Sequence, residues 1–361
     1  MSQRAPHAAL KILLALALAL ALCPLLQAAG VSAQTDAGTS VIEPGAQPPD
    51  VSVEWKELVG IYAHEKDAIV IFERAGALYY RAADGMEYPL HERAADSYAF
   101  AIDAAGSSQT ITLSRNAGGA VTSFSAANAT YSRTDAGAGD FYRVTPTRPL
   151  EVLRAEALRA APPAESGPFR KSDLVELTAL DPGFRLDIRY AQSNNFLGVP
   201  VYSQARAFMQ RPAAAALVRA LHQLRSLGYG LLIHDAYRPW YVTRIFWDAT
   251  PVAGHIFVAD PQAGSKHNRG CAVDLTLYDL ASGRSIEMPG LYDEMSARSF
   301  PEFPGGTSLQ RWHRELLRHA MEAQGFTVDE YEWWHFDYKD WKQYPILNIA
   351  FESWSKTGRR S

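Results

Sequence analysis

The sequence predicts an α+β domain over its second half, preceded by a small all-β unit. Three observations carry this. Short apolar or aromatic runs at 58–62, 68–72, 77–80, 98–102, 110–113 and 120–124 are separated by turn residues, as closely spaced antiparallel strands are. From about residue 168, segments with helical spacing are mixed with a few strand-like runs. Polar, Gly-rich stretches at 34–50 and from 135 mark the boundaries. The 361 residues suffice for two domains, and a 47% hydrophobic content supplies a core for each.

Taken in order, the chain opens on a targeting segment. Arg4 and Lys11 are basic, Ile12 to Leu26 is apolar apart from Pro24, and small residues follow at Ala28, Ala29 and Ala33. This is the layout of a secretory signal peptide, too short for a comfortable membrane span. Secretion to a periplasmic or extracellular space is expected, with no integral membrane span once the signal is removed. Cys23 offers lipid attachment as an alternative, disfavoured by the bulky Leu22 before it. The expected division is signal peptide 1–33, linker 34–50, small β-domain 51–134, linker and connecting helix 135–167, and α+β domain 168–361. The helix, 149–160, is stopped by Pro162-Pro163 and either connects the two domains or starts the second. Further helices are expected at 212–227, with Pro at its start and Gly228 after its end, at 240–247, and at 308–324 before Gly325. A strand at 229–233 delivers His234-Asp235-Ala-Tyr237-Arg238-Pro239.

The net charge of −4, without a basic block, argues against nucleic acid and against an electrostatic membrane anchor. With Cys23 removed, Cys271 is alone and no internal disulfide forms. His64 and His91 fall in the β-unit with nothing to pair them into a site.

The chemistry concentrates in Ser265-Lys-His267-Asn-Arg-Gly270-Cys-Ala272-Val-Asp274 and Glu332-Trp-Trp-His335. His267, Asp274 and His335 supply two imidazoles and a carboxylate. That set suits one catalytic zinc ion per chain, with a fourth position left for water. Gly270 lets a turn aim His267 and Asp274 at one point, and Asp274 opens an alternating run that reads as a strand. Glu332, three residues before His335, is the natural base for the water. Trp333 and Trp334 read as core packing. Each motif alone is weak, because a lone His or Asp is usually a surface or capping residue. Their combination in this order is strong.

Together the motifs resemble the zinc D-Ala-D-Ala dipeptidases, the VanX-like family, whose pattern is Ser-x-His-x-x-Gly-x-Ala-x-Asp followed by Glu-Trp-Trp-His. Asp-x-Arg-Tyr-Ala, Asn-Phe-x-Gly and Asp-x-Tyr-Arg-Pro fit it as well. The resemblance implies a zinc D,D-dipeptidase over 168–361, built on a central antiparallel sheet. It implies that Arg238 stabilises the oxyanion, against a purely structural pairing with Asp235. It implies that Asp293 binds the substrate ammonium and Ser265 its carboxylate, against a turn cap and a loop tie. Tyr190 and Asp235 are possible pocket walls. The family pattern leaves position 271 free, so Cys271 reads as a small buried side chain. The preceding β-unit resembles, more loosely, the lipocalin-like modules of some secreted hydrolases.

The expected partner is a small D,D-dipeptide, with peptidoglycan fragments as possible partners in an exported protein. A D,D- or L,D-carboxypeptidase that trims peptidoglycan stems is the second reading. A binding protein with an inactive peptidase domain is the third, opposed by the intact His267, Asp274, His335 and Glu332 set. The segment from 246 to 265, with His255, departs from the family pattern and is expected to shape the pocket mouth.

Overall fold

The computed structural model describes residues 45–102, 107–126, 128–134 and 142–354. The expected signal peptide, Cys23 and the linker up to residue 44 lie outside the described residues. Among the described residues, no helix is long and apolar enough to cross a membrane.

A short helix, α1 (Val53–Leu58), precedes nine strands. These are β1 (Gly60–His64), β2 (Asp67–Arg74), β3 (Ala77–Arg81), β4 (Glu87–Pro89), β5 (His91–Ala94), β6 (Ser97–Ala101), β7 (Ser108–Arg115), β8 (Val121–Ala126) and β9 (Ala129–Arg133). They form one antiparallel sheet in the order β4-β3-β2-β1-β9-β8-β7-β6-β5. Pairing of the first strand with the last, Tyr62 opposite Arg133, leaves β4 and β5 as the edges. Only Leu90 separates those edges in the chain, so the sheet curls until they approach each other. Tyr80 of β3 and Phe100 of β6 stack across its inside with ring centroids 4.6 Å apart. Tyr62, Ile71, Ile111 and Phe124 complete this core. Each expected apolar run overlaps one of these strands, whereas β4, β5 and β9 carry almost no apolar signal. The His91-Glu-Arg-Ala strand β5 is exposed throughout, as a sheet edge can be.

A second core begins at α2 (Leu150–Arg159), which buries Leu153 and Ala157 there. The elements after it are β10 (Leu174–Glu176), α3 (Leu177–Leu180), β11 (Arg185–Leu186), β12 (Phe208–Gln210), α4 (Arg211–Ser226) and β13 (Tyr229–Asp235). Then come α5 (Trp240–Ala249), β14 (Ala272–Asp279), α6 (Ser308–Glu322), β15 (Phe326–Val328) and β16 (His335–Tyr338). Five strands form the central sheet in the order β11-β13-β14-β16-β15. All its pairings are antiparallel except β11 with β13.

The helices follow their local signals. Pro212 stands in the first turn of α4, where its missing N–H leaves no helical bond unmade. Thr307 and Gln310 form a reciprocal capping box at the start of α6. That helix buries Leu316, Leu317, Ala320 and Met321 on one face. The middle strand β14 is buried at every position except Asp279, on both faces rather than one. Truncating Leu275 there to Ala costs about 2–5 kcal/mol, the range for a large core aliphatic.

Candidate active site

The site is assembled on the ends of β14 and β16. Asp274 has His335 as its direct partner on β16 and Asp235 as its partner on β13, which puts three side chains in one row across the sheet. A register irregularity at His234 precedes Asp235 and re-aims the end of β13. His267 arrives from a single 3₁₀ turn closed by Gly270 at φ 68° and ψ 27°. Gly270 is required twice over. Its backbone is left-handed, and a Cβ there would lie 2.3 Å from Leu174 Cδ2.

His267 Nε2, His335 Nδ1 and Asp274 Oδ1 converge. The two nitrogens are 3.1 Å apart and lie 3.2 and 3.0 Å from the carboxylate oxygen. The far nitrogen of each ring is committed elsewhere. His267 Nδ1 lies 2.6 Å from the Ala236 carbonyl and His335 Nε2 lies 2.9 Å from Asp337 Oδ1. Those partners are acceptors, so the far nitrogens donate, and neutral imidazoles then turn bare lone pairs toward Asp274. Three acceptors this close repel one another unless a cation sits among them. Burial opposes charge on His335, yet the Asp337 and Asp274 carboxylates raise its pKa well above the ordinary value. Asp274 is likewise buried, and His267 and His335 hold it well below the carboxylate range. The donor set therefore fits a divalent cation bound by two imidazoles and one carboxylate.

Support for these groups comes from residues that the motifs do not single out. Lys266 Nζ sits 3.1 Å from Asp337 Oδ2, and the Tyr292 hydroxyl donates to Asp274 Oδ2 at 3.0 Å. Asn268, fully buried, donates to the Arg238 carbonyl and to Thr243, and so ties the His267 turn to the β13–α5 junction. Asp337 was findable. Strand periodicity puts it on the His335 face two residues on. Tyr292 and Asn268 carry no comparable signal.

Glu332 Oε2 is 3.7 Å from His335 Nδ1, at the rim of the cation position. Burial, then the Asp274, Asp329 and Asp293 carboxylates, push its pKa well up against the pull of His335. Arg238 is buried with its guanidinium over Tyr190 and Phe246. Its Nε donates to Asp235 Oδ2 at 2.9 Å, and its terminal nitrogen is 3.5 Å from Asp274 Oδ2. Asp235, fixed in turn by the Tyr202 hydroxyl, holds Arg238 and is not itself a cavity wall.

Asp293 stands on the 280–307 loop with φ 59°, a left-handed conformation that costs a residue with a Cβ about 1 kcal/mol. Its Oδ1 accepts from the Tyr190 hydroxyl at 2.9 Å, while its buried Oδ2 has no hydrogen-bond partner among the described residues. Burial, followed by the Asp274 charge, lifts its pKa to about 8. The Ser265 hydroxyl accepts from the His267 N–H at 3.1 Å, which ties the loop, and the residue also lines the cavity.

A cavity of about 320 Å³ brings together all seven sequence-predicted site residues: His267, Asp274, His335, Glu332, Arg238, Asp293 and Ser265. Tyr190, Phe196, Phe246 and Met295 add apolar wall, and Ile256 to Ala259, from the departing segment, form part of its lining. His255 stacks on Trp247 at 3.9 Å instead of entering the site. His234 stacks on Tyr292 at 4.5 Å, and burial with nearby Arg189 lowers its pKa to about 4, which suits neutral packing. Cys271 is fully buried, belongs to neither candidate metal cluster among the described residues and does not line the cavity, and burial raises its thiol to about 12. Trp333 and Trp334 are buried in the core, Trp334 with one face on the cavity.

An α+β domain with this donor set beside a partly buried glutamate fits the class of metal-dependent hydrolases. The D-ala-D-ala dipeptidase family model matches residues 170–352. A D-alanyl-D-alanine dipeptidase of Escherichia coli (strain K12) is 34% identical over 187 residues, which cover 52% of this chain and 95% of that protein. One from Enterococcus faecalis (strain ATCC 700802 / V583) is 35% identical over 187 residues, 47% of this chain and 92% of that protein. One from Streptomyces coelicolor (strain ATCC BAA-471 / A3(2) / M145) is 34% identical over 186 residues, with 46% and 92% covered. The chain belongs to the D-ala-D-ala dipeptidase family of zinc metallopeptidases.

Proposed function

We propose that this chain hydrolyses D-Ala-D-Ala to two molecules of D-alanine. The observation that carries the reading is the convergence of His267, Asp274 and His335 beside Glu332, in a chain of this family. His267, Asp274 and His335 would hold the zinc ion. When bound, the ion polarises the scissile carbonyl and makes water acidic enough to yield hydroxide near neutral pH. Glu332 accepts the proton of the attacking water and returns it to the leaving amine. Its carboxylate, 3.7 Å from His335 Nδ1, stands at the rim of the proposed cation position, within reach of both transfers.

As the C–N bond gives way, negative charge grows on the carbonyl oxygen. The Arg238 guanidinium supplies fixed positive charge at the cavity wall, and a preorganised donor of this kind is worth about 3 kcal/mol. Asp235 and the two aromatic faces keep it from swinging out. The unpartnered Oδ2 of Asp293 suits the substrate ammonium, because a buried acceptor gains most from a charged donor. Ser265 suits the opposite end of the substrate, its carboxylate.

The reading extends to export through residues 1–33 and to the division at 51–134 and 168–361. The curled nine-stranded meander supports a lipocalin-like description of the β-module. The test is alanine release from D-Ala-D-Ala by the zinc-loaded protein, with and without chelator, alongside a stem pentapeptide. Chelator-sensitive release from the dipeptide is expected. Release from the pentapeptide alone would replace the dipeptidase reading with a carboxypeptidase.

A further inference from the structure

The β-module touches the catalytic half at one place where burial, charge and backbone bonding coincide. Glu73, near the end of β2, is only 2% exposed. Its carboxylate accepts from the Ser308 N–H at 2.6 Å, from the Ser308 hydroxyl at 3.2 Å and from the Gly76 N–H at 2.7 Å. Ser308 is the first residue of α6, so the carboxylate caps an orphan donor at the positive end of that helix. The Glu73 N–H donates to the Gly306 carbonyl, and Phe72 pairs with Gly306 as a parallel bridge. Arg311 closes the joint. One of its nitrogens donates to the Glu73 carbonyl at 2.6 Å and another to the Gly305 and Gly306 carbonyls at 3.1 and 3.0 Å.

Gly306 is the distal end of the 280–307 loop, and that loop carries Asp293. The loop is internally knitted. Glu294, nearly fully buried, accepts from the Leu291 N–H and the Ser296 hydroxyl, and the Ser299 hydroxyl donates to the Glu294 carbonyl. Arg298 donates to the Pro289 carbonyl. The loop also reaches the base, because the Ser299 carbonyl accepts from the Trp333 N–H at 2.8 Å, one residue from Glu332. A second tether, Lys56 to Glu287 at 3.3 Å, joins the module to the loop on its other side.

We propose that the β-module is a brace for this loop, and that Glu73 is a positioning residue for Asp293. The proposal rests on the dipeptidase reading and gives the module a part in it. A loop of about thirty residues with little regular structure beyond a 3₁₀ turn at Ala297–Ser299 loses precision unless its ends are pinned. The module pins one end against α6, and the knitted turn passes that constraint to Asp293, whose left-handed backbone persists only while its surroundings enforce it. Asp274 and His335 lie on paired strands and His267 on its own turn, so among the described residues the loop meets this set only through the Tyr292 hydroxyl on Asp274.

The experiment uses full-length, zinc-loaded protein and compares Glu73→Ala and Glu73→Gln with the natural chain. Three quantities are read: KM and kcat for D-Ala-D-Ala, zinc affinity, and amide exchange over 289–307. In Glu73→Ala we expect KM to rise about tenfold, kcat to change less than twofold, and exchange in the loop to quicken. Zinc affinity should stay within about twofold of the natural value. Glu73→Gln keeps an acceptor and should restore part of KM. Unchanged KM and unchanged loop exchange in Glu73→Ala would overturn the brace. So would equal losses in zinc affinity and kcat, the signature of general unfolding. If the natural protein hydrolysed no dipeptide, the dipeptidase reading would fall, and loop exchange alone would judge the brace.

Discussion

Two regions of the cavity are held by different means. The proposed cation ligands Asp274 and His335 face each other across paired central strands, and His267 is held by a turn closed by a left-handed glycine. Asp293 stands on an irregular loop, in a conformation that favours glycine, and depends on Tyr190 and on the loop's own hydrogen bonds. On the proposed function, reactive geometry would sit on the rigid framework, and recognition of the substrate's ammonium would fall to a part that other elements must steady. Side chains on paired strands, as Asp274 and His335 are, cannot drift without breaking the sheet, whereas a loop acid can be tuned by whatever packs on it.

The comparison can be broken most decisively at the base. Glu332→Gln should lower kcat by about a thousandfold or more while zinc stays bound, measured by single-turnover kinetics with parallel metal analysis. Retained turnover would remove Glu332 from the chemistry. Next is Asp293→Asn, which should cut kcat/KM about a hundredfold, chiefly through KM, because the carboxyl group that an incoming ammonium would ionise and pair with is lost. An equal fall in kcat would place Asp293 with the framework instead. Asp337→Asn weakens the hold on His335, and zinc affinity should drop about tenfold to a hundredfold while KM moves little. Competition with a chelator reads this directly.

The smallest effect is expected at a control position far from either region. Asp181 is buried, which opposes its ionisation, but hydrogen bonds from Arg225, the Gly183 N–H and His222 lower its pKa from 3.8 to about 2. Its folded pKa lies below the unfolded one. The stabilisation is therefore complete above about pH 4 and is lost as pH falls through about 2. Asp181→Asn should cost roughly 2 kcal/mol at neutral pH and flatten the acid limb of the unfolding profile, with kinetics unchanged.

The framework was legible because its chemistry is local in sequence. His267 to Asp274 spans one turn and the start of a strand, and Glu332 to His335 one short segment, so residue type and spacing sufficed. Helices α4 and α6 were legible for the same reason, through Pro212, the 3.6-residue apolar stripe and the glycines beyond their ends. What escaped depends on pairs far apart in the chain. Tyr292 reaches Asp274 and Glu73 reaches Ser308 only once the fold is made, and no local pattern announces either contact. Strand β14 reads as alternating yet is buried on both faces, because whether a sheet is covered on one side or two is decided by helices elsewhere. Strands β4, β5 and β9 were hidden by polar side chains that a curled sheet can leave in water.

The facing of Asp274 and His335 has a consequence for how the protein matures. Side chains alternate along a strand, so sliding β16 by a single residue would turn Phe336 toward the ligand row and send the imidazole to the opposite face. The two strands are separated by the whole of the long loop and α6, so they meet late, across a slow-closing span of chain. A divalent ion held by Asp274 and His335 would bind tightly only when the strands are aligned, and by mass action it would favour the aligned form over every slipped one. On the proposed function, loading with metal would double as proofreading of the sheet.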